Sequence, residues 1–256
     1  MYISEFKLFS ASPYSVRTWP LYYYNPNYEI RTLTSDGKTA CSVAMGTLNA
    51  DLNYNPVCLD GSANSYVEQR VPTAILPADW TISIMASTGV LDGGTIFHYK
   101  EDDGNSGAAD RISSMIFWYD STTAYLEVYK SNNERIGYLT VANFFPTGAN
   151  IYDFITILVS YDISKPEVKI FTNQGELGQV DLTGYQPNLG VPGTLRIGGA
   201  ISMVKAGFEG QFICLSLFNY KSGPAETGYV NDECEPSYWI SNPAATAGKH
   251  TRLPNS

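Results

Sequence analysis

The sequence predicts an all-β protein built as a two-sheet antiparallel β-sandwich, and three observations predict it. The first is alternation with period 2, which places residues of one parity on one face of a pleated strand. Phe154 to Tyr161 shows it best, with Ile155, Ile157, Val159 and Tyr161 on one side and Phe154, Thr156, Leu158 and Ser160 on the other. Both sides are largely apolar, so this strand belongs inside a two-sheet stack. The second is turn chemistry between such runs: in Asp162 to Pro166, Asp and Ser bond locally to backbone and Pro fixes φ. The third is the lack of any convincing amphipathic helical pattern longer than two turns in a chain of 256 residues, 13% of them aromatic and 19 of them Tyr.

The elements follow in order. Glu5 to Ser10 is a candidate edge strand, and Ser12 to Asn55 then reads as irregular, interrupted by Pro13, Pro20 and Pro26. Its aromatic cluster, Trp19, Tyr22, Tyr23, Tyr24 and Tyr28, reads as a flap packed over the sandwich or as a recognition surface. Asp60-Gly61 marks a turn before a short strand, Tyr66 to Val71. Trp80 to Ser87 alternates cleanly. Gly93-Gly94 starts the next strand, which runs into the acidic loop EDDGNSGAAD. Ile112 to Tyr119, Ala124 to Lys130 and Arg135 to Val141 are separated by Asp-Ser-Thr and Ser-Asn-Asn turns. After the Phe154 to Tyr161 strand come Glu167 to Thr172, a third short strand, and Thr194 to Gly198. Gly210 to Asn219 closes the series, with Ile213, Leu215 and Leu217 expected against the core and Cys214 pointing away, towards Cys234. Residues 1–240 are expected to form one domain with 1–55 as an atypical decoration, and 241–256 a loosely ordered, low-apolar tail.

Composition narrows the function classes. A net charge of −9 with no basic run excludes nucleic acid and sulfated glycosaminoglycans as bulk partners. No apolar run is long enough to insert in a membrane. Met1 to Ser12 lacks the charged head and apolar middle of a signal peptide, so secretion would imply a leader already removed. Cys41, Cys58, Cys214 and Cys234 permit three pairings; joining Cys41 to Cys58 and Cys214 to Cys234 closes two short loops, each stabilising by roughly 3 kcal/mol. With no zinc-type spacing among them, they read as disulfides, and the protein as secreted or extracellular.

The succession of motifs resembles the laminin G-like, concanavalin A-like jelly-roll superfamily over about residues 57–222. LDGSANSYVE resembles the opening strand pair, DWTISIMAS the aromatic-led strand, GGTIFHYK the next, and ISSMIFWYDSTTAYLEVY the central hairpin. DFITILVSYDISKPEVKIFTNQGE resembles the tyrosine-aspartate turn of that superfamily, and GTLRIGGA with FEGQFICLSLFNYKSG its closing strands. The resemblance implies a non-catalytic recognition module, lectin-like and binding carbohydrate, with an extracellular protein partner as the alternative. It also implies calcium on the sandwich rim. In the laminin G pattern an Asp precedes the strand that Asp110 precedes here, and Asp102 and Asp103 share its loop; hard oxygen ligands suit that ion.

Residue chemistry points the same way. As a lectin the chain would stack an aromatic on a sugar and bond its hydroxyls from nearby polar groups, and Trp118, Tyr119, Tyr125 and Tyr129 are candidates for that patch. Tyr22 and Tyr24 would anchor a protein partner. A retaining glycosidase needs two carboxylates about 5 Å apart, usually from one strand. No Glu-x-Asp-x-x-Glu run occurs, and Glu127 stands mid-strand without a partner acid nearby in sequence. Neither His98 nor His250 has a nucleophile context such as Gly-x-Ser-x-Gly.

Overall fold

The computed structural model describes residues 15–20, 22–24, 54–63, 65–71, 79–88, 92–102, 111–130, 133–145, 155–172, 174–187, 193–201, 205–218 and 220–223. In chain order the strands are β1 (Ser15–Pro20), β2 (Tyr22–Tyr24), β3 (Tyr54–Asp60), β4 (Val67–Val71) and β5 (Trp80–Thr88). Then come β6 (Gly94–Glu101), β7 (Arg111–Asp120), β8 (Thr123–Lys130), β9 (Arg135–Val141) and β10 (Ile155–Asp162). The last five are β11 (Glu167–Thr172), β12 (Gly175–Asp181), β13 (Gln186–Pro187), β14 (Gly193–Ile197) and β15 (Glu209–Phe218). No helix among the described residues is long and apolar enough to cross a membrane.

The strands form two sheets packed face to face. The first runs β12-β11-β10-β5-β15-β3-β2, with β1 also paired to β15; the second runs β4-β14-β6-β7-β8-β9, with β13 beside β7. Ile155, Ile157, Val159 and Tyr161 of β10 lie in the core between the sheets, and Thr156, Leu158 and Ser160 on the opposite face are buried too. Tyr161 stands across from Trp80 and stacks on it, with ring centroids 5.7 Å apart. The Asp162 turn forms as its chemistry requires: Oδ1 accepts hydrogen bonds from the Ser164 backbone N–H (2.8 Å) and hydroxyl (2.6 Å).

One expectation is corrected, and β15 departs from strict alternation. The segment read as irregular contains β1 and β2. Pro20 is tolerated because it ends β1, and β1 lies along β15 rather than inside a central strand. Along β15 the register against β5 slips between Phe212 and Cys214, making Ile213 the extra residue of a bulge. Phe212 and Leu215, three residues apart, both reach the core, and the side chains of Ile213, Cys214 and Leu217 lie outside the described ones. The Glu5 to Ser10 strand, Cys41, Cys234 and the tail lie outside the described residues.

At one side the two sheets close on each other through β9 and β12. A Cβ at Gly137 would lie 2.7 Å from Val180 Cγ1, and one at Gly178 would lie 2.8 Å from Leu139 Cδ1. Glycine permits that approach, and it fixes β9 as the edge strand that carries part of the site described next.

Candidate functional site on the outer face of the second sheet

Strand parity builds the site. Phe117 and Tyr119 of β7 and Leu126 and Val128 of β8 point into the core, so Trp118, Tyr125, Glu127 and Tyr129 point outward. The register sets Trp118 opposite Tyr125, Tyr125 opposite Thr140, and Glu127 opposite Tyr138. Between Val128 and Tyr129 the ladder slips by one residue: Val128 faces Gly137 but Tyr129 faces Arg135. Ile136, the extra residue, packs against the core, and Arg135 is turned onto the face that carries Tyr138.

The result is a column of three rings with a cation at each end. Trp118 stacks on Tyr125 at 4.3 Å between centroids and 20° between planes, and Tyr125 on Tyr138 at 6.1 Å and 25°. Lys205 Nζ lies 3.5 Å from the Trp118 ring centroid, and the Arg135 guanidinium 4.5 Å from that of Tyr138. Each end is therefore closed by a cation–π contact. Offset stacking leaves Tyr138 47% exposed, against an interior ladder in which Tyr119, one residue from Trp118, has no exposure at all.

Glu127 holds the column together from below. Its Oε1 accepts hydrogen bonds from Trp118 Nε1 at 2.7 Å and Lys205 Nζ at 3.3 Å; its Oε2 accepts one from the Tyr129 hydroxyl and faces Arg135 at 3.8 Å. Burial alone would raise the carboxyl pKa, but the hydrogen bonds from Tyr129, Trp118 and Lys205 outweigh it and hold the group below the ordinary glutamate value. Burial and the adjacent carboxylate push the Tyr129 phenol up to about 12. A carboxyl held ionised by three hydrogen-bond donors and a nearby guanidinium is a poor general acid at neutral pH, which argues against glycosidase chemistry at this residue.

Further along the same face, under residues 198–201, the sheet is covered. His98 Nδ1 accepts the Ile201 backbone N–H at 2.7 Å, so the ring proton sits on Nε2 and is donated to Ser114 Oγ at 2.8 Å. A catalytic Ser-His pair needs the opposite polarity, with the imidazole lone pair facing the hydroxyl. Burial first, then Arg196 and Lys100, lowers the His98 pKa to about 3, so the ring stays neutral. Arg196 donates from Nε (2.8 Å) and Nη2 (2.5 Å) to Glu68 Oε2 and from Nη1 to Ala200 O (2.8 Å), and it lies 3.8 Å from the Tyr66 ring centroid.

Of the residues singled out by sequence, the structure brings Trp118, Tyr125 and Tyr129 together. It separates Tyr119 from them, and that expectation is corrected: Tyr119 faces the core, bonds Thr88 Oγ1 at 3.1 Å, and has its phenol pushed up to about 12, chiefly by burial. Asp102, half-buried, follows β6. Asp103 and Asp110 lie outside the described residues, and among those described no group of three His, Cys, Asp or Glu side chains is placed to hold a metal. Tyr22 and Tyr24 belong to β2, and Cys58 and Cys214 to β3 and β15, by backbone alone. Sequence reasoning missed Arg135, Tyr138 and Lys205. The alternation of RIGYLTV opposite Tyr125 and Glu127 signals Tyr138; nothing in the sequence signals Lys205.

No protein-family model matches the sequence, and no curated protein matches it. Solved structures are similar in fold. A structure of NanB with Optactamide gives a TM-score of 0.50 at 10% identity, covering 68% of this chain and 28% of that one. The native heptameric SAP-like pentraxin from Limulus polyphemus gives 0.47 at 12% identity, covering 68% and 79%. The CBM40 of the Ruminococcus gnavus IT-sialidase, bound to α2,3 sialyllactose, gives 0.46 at 14% identity, covering 69% and 98%. The two-sheet topology of this chain is that of a jelly-roll β-sandwich, and the likeness to NanB over 68% of this chain is one of fold.

Proposed function

We propose that this protein is a non-catalytic recognition module that binds carbohydrate through the outer face of its second sheet, around Tyr138. One observation carries the reading: Trp118, Tyr125 and Tyr138 stack one on the next on a face turned away from the core, and the outermost ring is 47% exposed. An exposed aromatic offers a flat apolar surface to the C–H face of a sugar ring. Arg135 and Thr140 on its strand, and Lys205 at the Trp118 end, supply donors for hydroxyls. The rings are held in place beforehand by Glu127 and the two cations, so little side-chain entropy is lost on binding. The polarity of the His98–Ser114 pair and the ionised state of Glu127 favour binding over turnover.

The test is a glycan array probed with the full chain and with Tyr138→Ala. The reading predicts saturable binding by the parent chain and a loss of about tenfold or more in the variant, with the unfolding midpoint unchanged. Saturable binding to a protein, uninhibited by sugar, would assign the face to a protein partner instead. Repeating the array with chelator tests the proposed calcium at Asp102, Asp103 and Asp110: if the ion is required, chelation abolishes the signal.

A further inference from the structure

The cations that close the aromatic column are not balanced by its one acid. Among the described residues Lys205 and Arg135 face Glu127 alone, two positive groups against one negative, in a chain whose net charge is −9. Glu127 is also filled: Trp118, Tyr129 and Lys205 supply its hydrogen bonds, leaving Arg135 at 3.8 Å, beyond hydrogen-bond reach. Glu134, next in sequence to Arg135, is engaged by Lys130 Nζ at 2.9 Å. The Arg135 side chain makes no hydrogen bond among the described residues and is 51% exposed, although the guanidinium lies over Tyr138. A planar guanidinium with unused N–H groups, oriented by a ring and open to solvent, matches the two oxygens of a carboxylate or sulfate.

We propose that the sugar taken by this face carries an anionic group, seated against the outward edge of Arg135 while its ring lies on Tyr138. The proposal rests on the carbohydrate reading above and narrows it to acidic sugars. Net charge works against long polyanions, whereas one acidic residue on a short glycan meets the local positive excess alone.

The experiment compares isosteric glycans on one array: hexose-terminated oligosaccharides, the corresponding hexuronates, and the corresponding hexose 6-sulfates. The proposal predicts preference for a charged member over its hexose, weakening with added salt. Arg135→Gln should reduce that binding about tenfold with an unchanged unfolding midpoint, and Arg135→Lys should lie between. Hexuronate binding assigns the anion as a carboxylate and 6-sulfate binding as a sulfate. Equal or better binding of neutral hexoses overturns the proposal while leaving the carbohydrate reading standing. An Arg135→Gln variant that keeps full preference for the acidic glycan also overturns it, and absence of any bound glycan overturns both.

Discussion

Two arginines on the same face of the second sheet have opposite roles. Each lies over a tyrosine ring, Arg196 over Tyr66 at 3.8 Å and Arg135 over Tyr138 at 4.5 Å. Arg196 directs three N–H groups at Glu68 and the Ala200 carbonyl and is 18% exposed; Arg135 makes one ion pair among the described residues, at 3.8 Å, and is 51% exposed. The first closes a loop onto the sheet. The second is held by its ring and left available. The same pair of residue types is therefore structural where its donors are satisfied within the chain, and open to the proposed ligand where, among the described residues, they are not.

The largest effect expected is at Glu127, which anchors the open end of the face. Glu127→Ala removes the buried acceptor shared by Trp118, Tyr129 and Lys205 and should cost about 3 kcal/mol of unfolding free energy, read from urea titration. A loss under about 1 kcal/mol would mean that the column stands without it. Next comes the covered end, through His98. A histidine whose folded pKa lies near 3, below an unfolded value of about 6.5, takes up its proton more readily when unfolded. Its contribution is complete above about pH 6.5 and declines as pH falls towards 3, by about 2 kcal/mol between pH 8 and pH 5. His98→Gln should flatten that part of the stability profile; an equally steep profile in the variant would place the titration elsewhere. Smaller again is Arg196→Met, expected to lower stability by about 1 to 2 kcal/mol through the loss of its bonds to Glu68 and Ala200. Tyr138→Ala should change stability by no more than about 0.5 kcal/mol, because its ring is half exposed.

The comparison also separates what the sequence shows from what only tertiary structure decides. Strands β5 to β12 are legible because alternation is strong and the turns carry Asp, Asn, Ser and Gly; Ser121 and Asn133, in two of those turns, adopt positive φ of 55° and 62°. Strands β1 and β2 are not, because prolines that would break a central strand are tolerated where the pairing is one-sided or ends. The bulges at Ile136 and Ile213 are invisible from one strand alone. Each is a slip against a partner, yet the one at Ile136 puts Arg135 on the outer face and the one at Ile213 keeps Phe212 in the core. Trp118 and Tyr119 could not be told apart by composition, since both faces of β7 carry aromatics. Only the opposing sheet shows that Tyr119 is the inward one.

The most direct test is a paired measurement of glycan affinity and unfolding free energy for Tyr138→Ala and Arg196→Met, using the glycan that the parent chain binds best on the array. The account predicts that Tyr138→Ala loses affinity about tenfold at parental stability, while Arg196→Met loses stability at parental affinity. The reverse pattern, with affinity falling at Arg196 and unchanged at Tyr138, would contradict it and move the binding face to the β4–β14 end of the sheet.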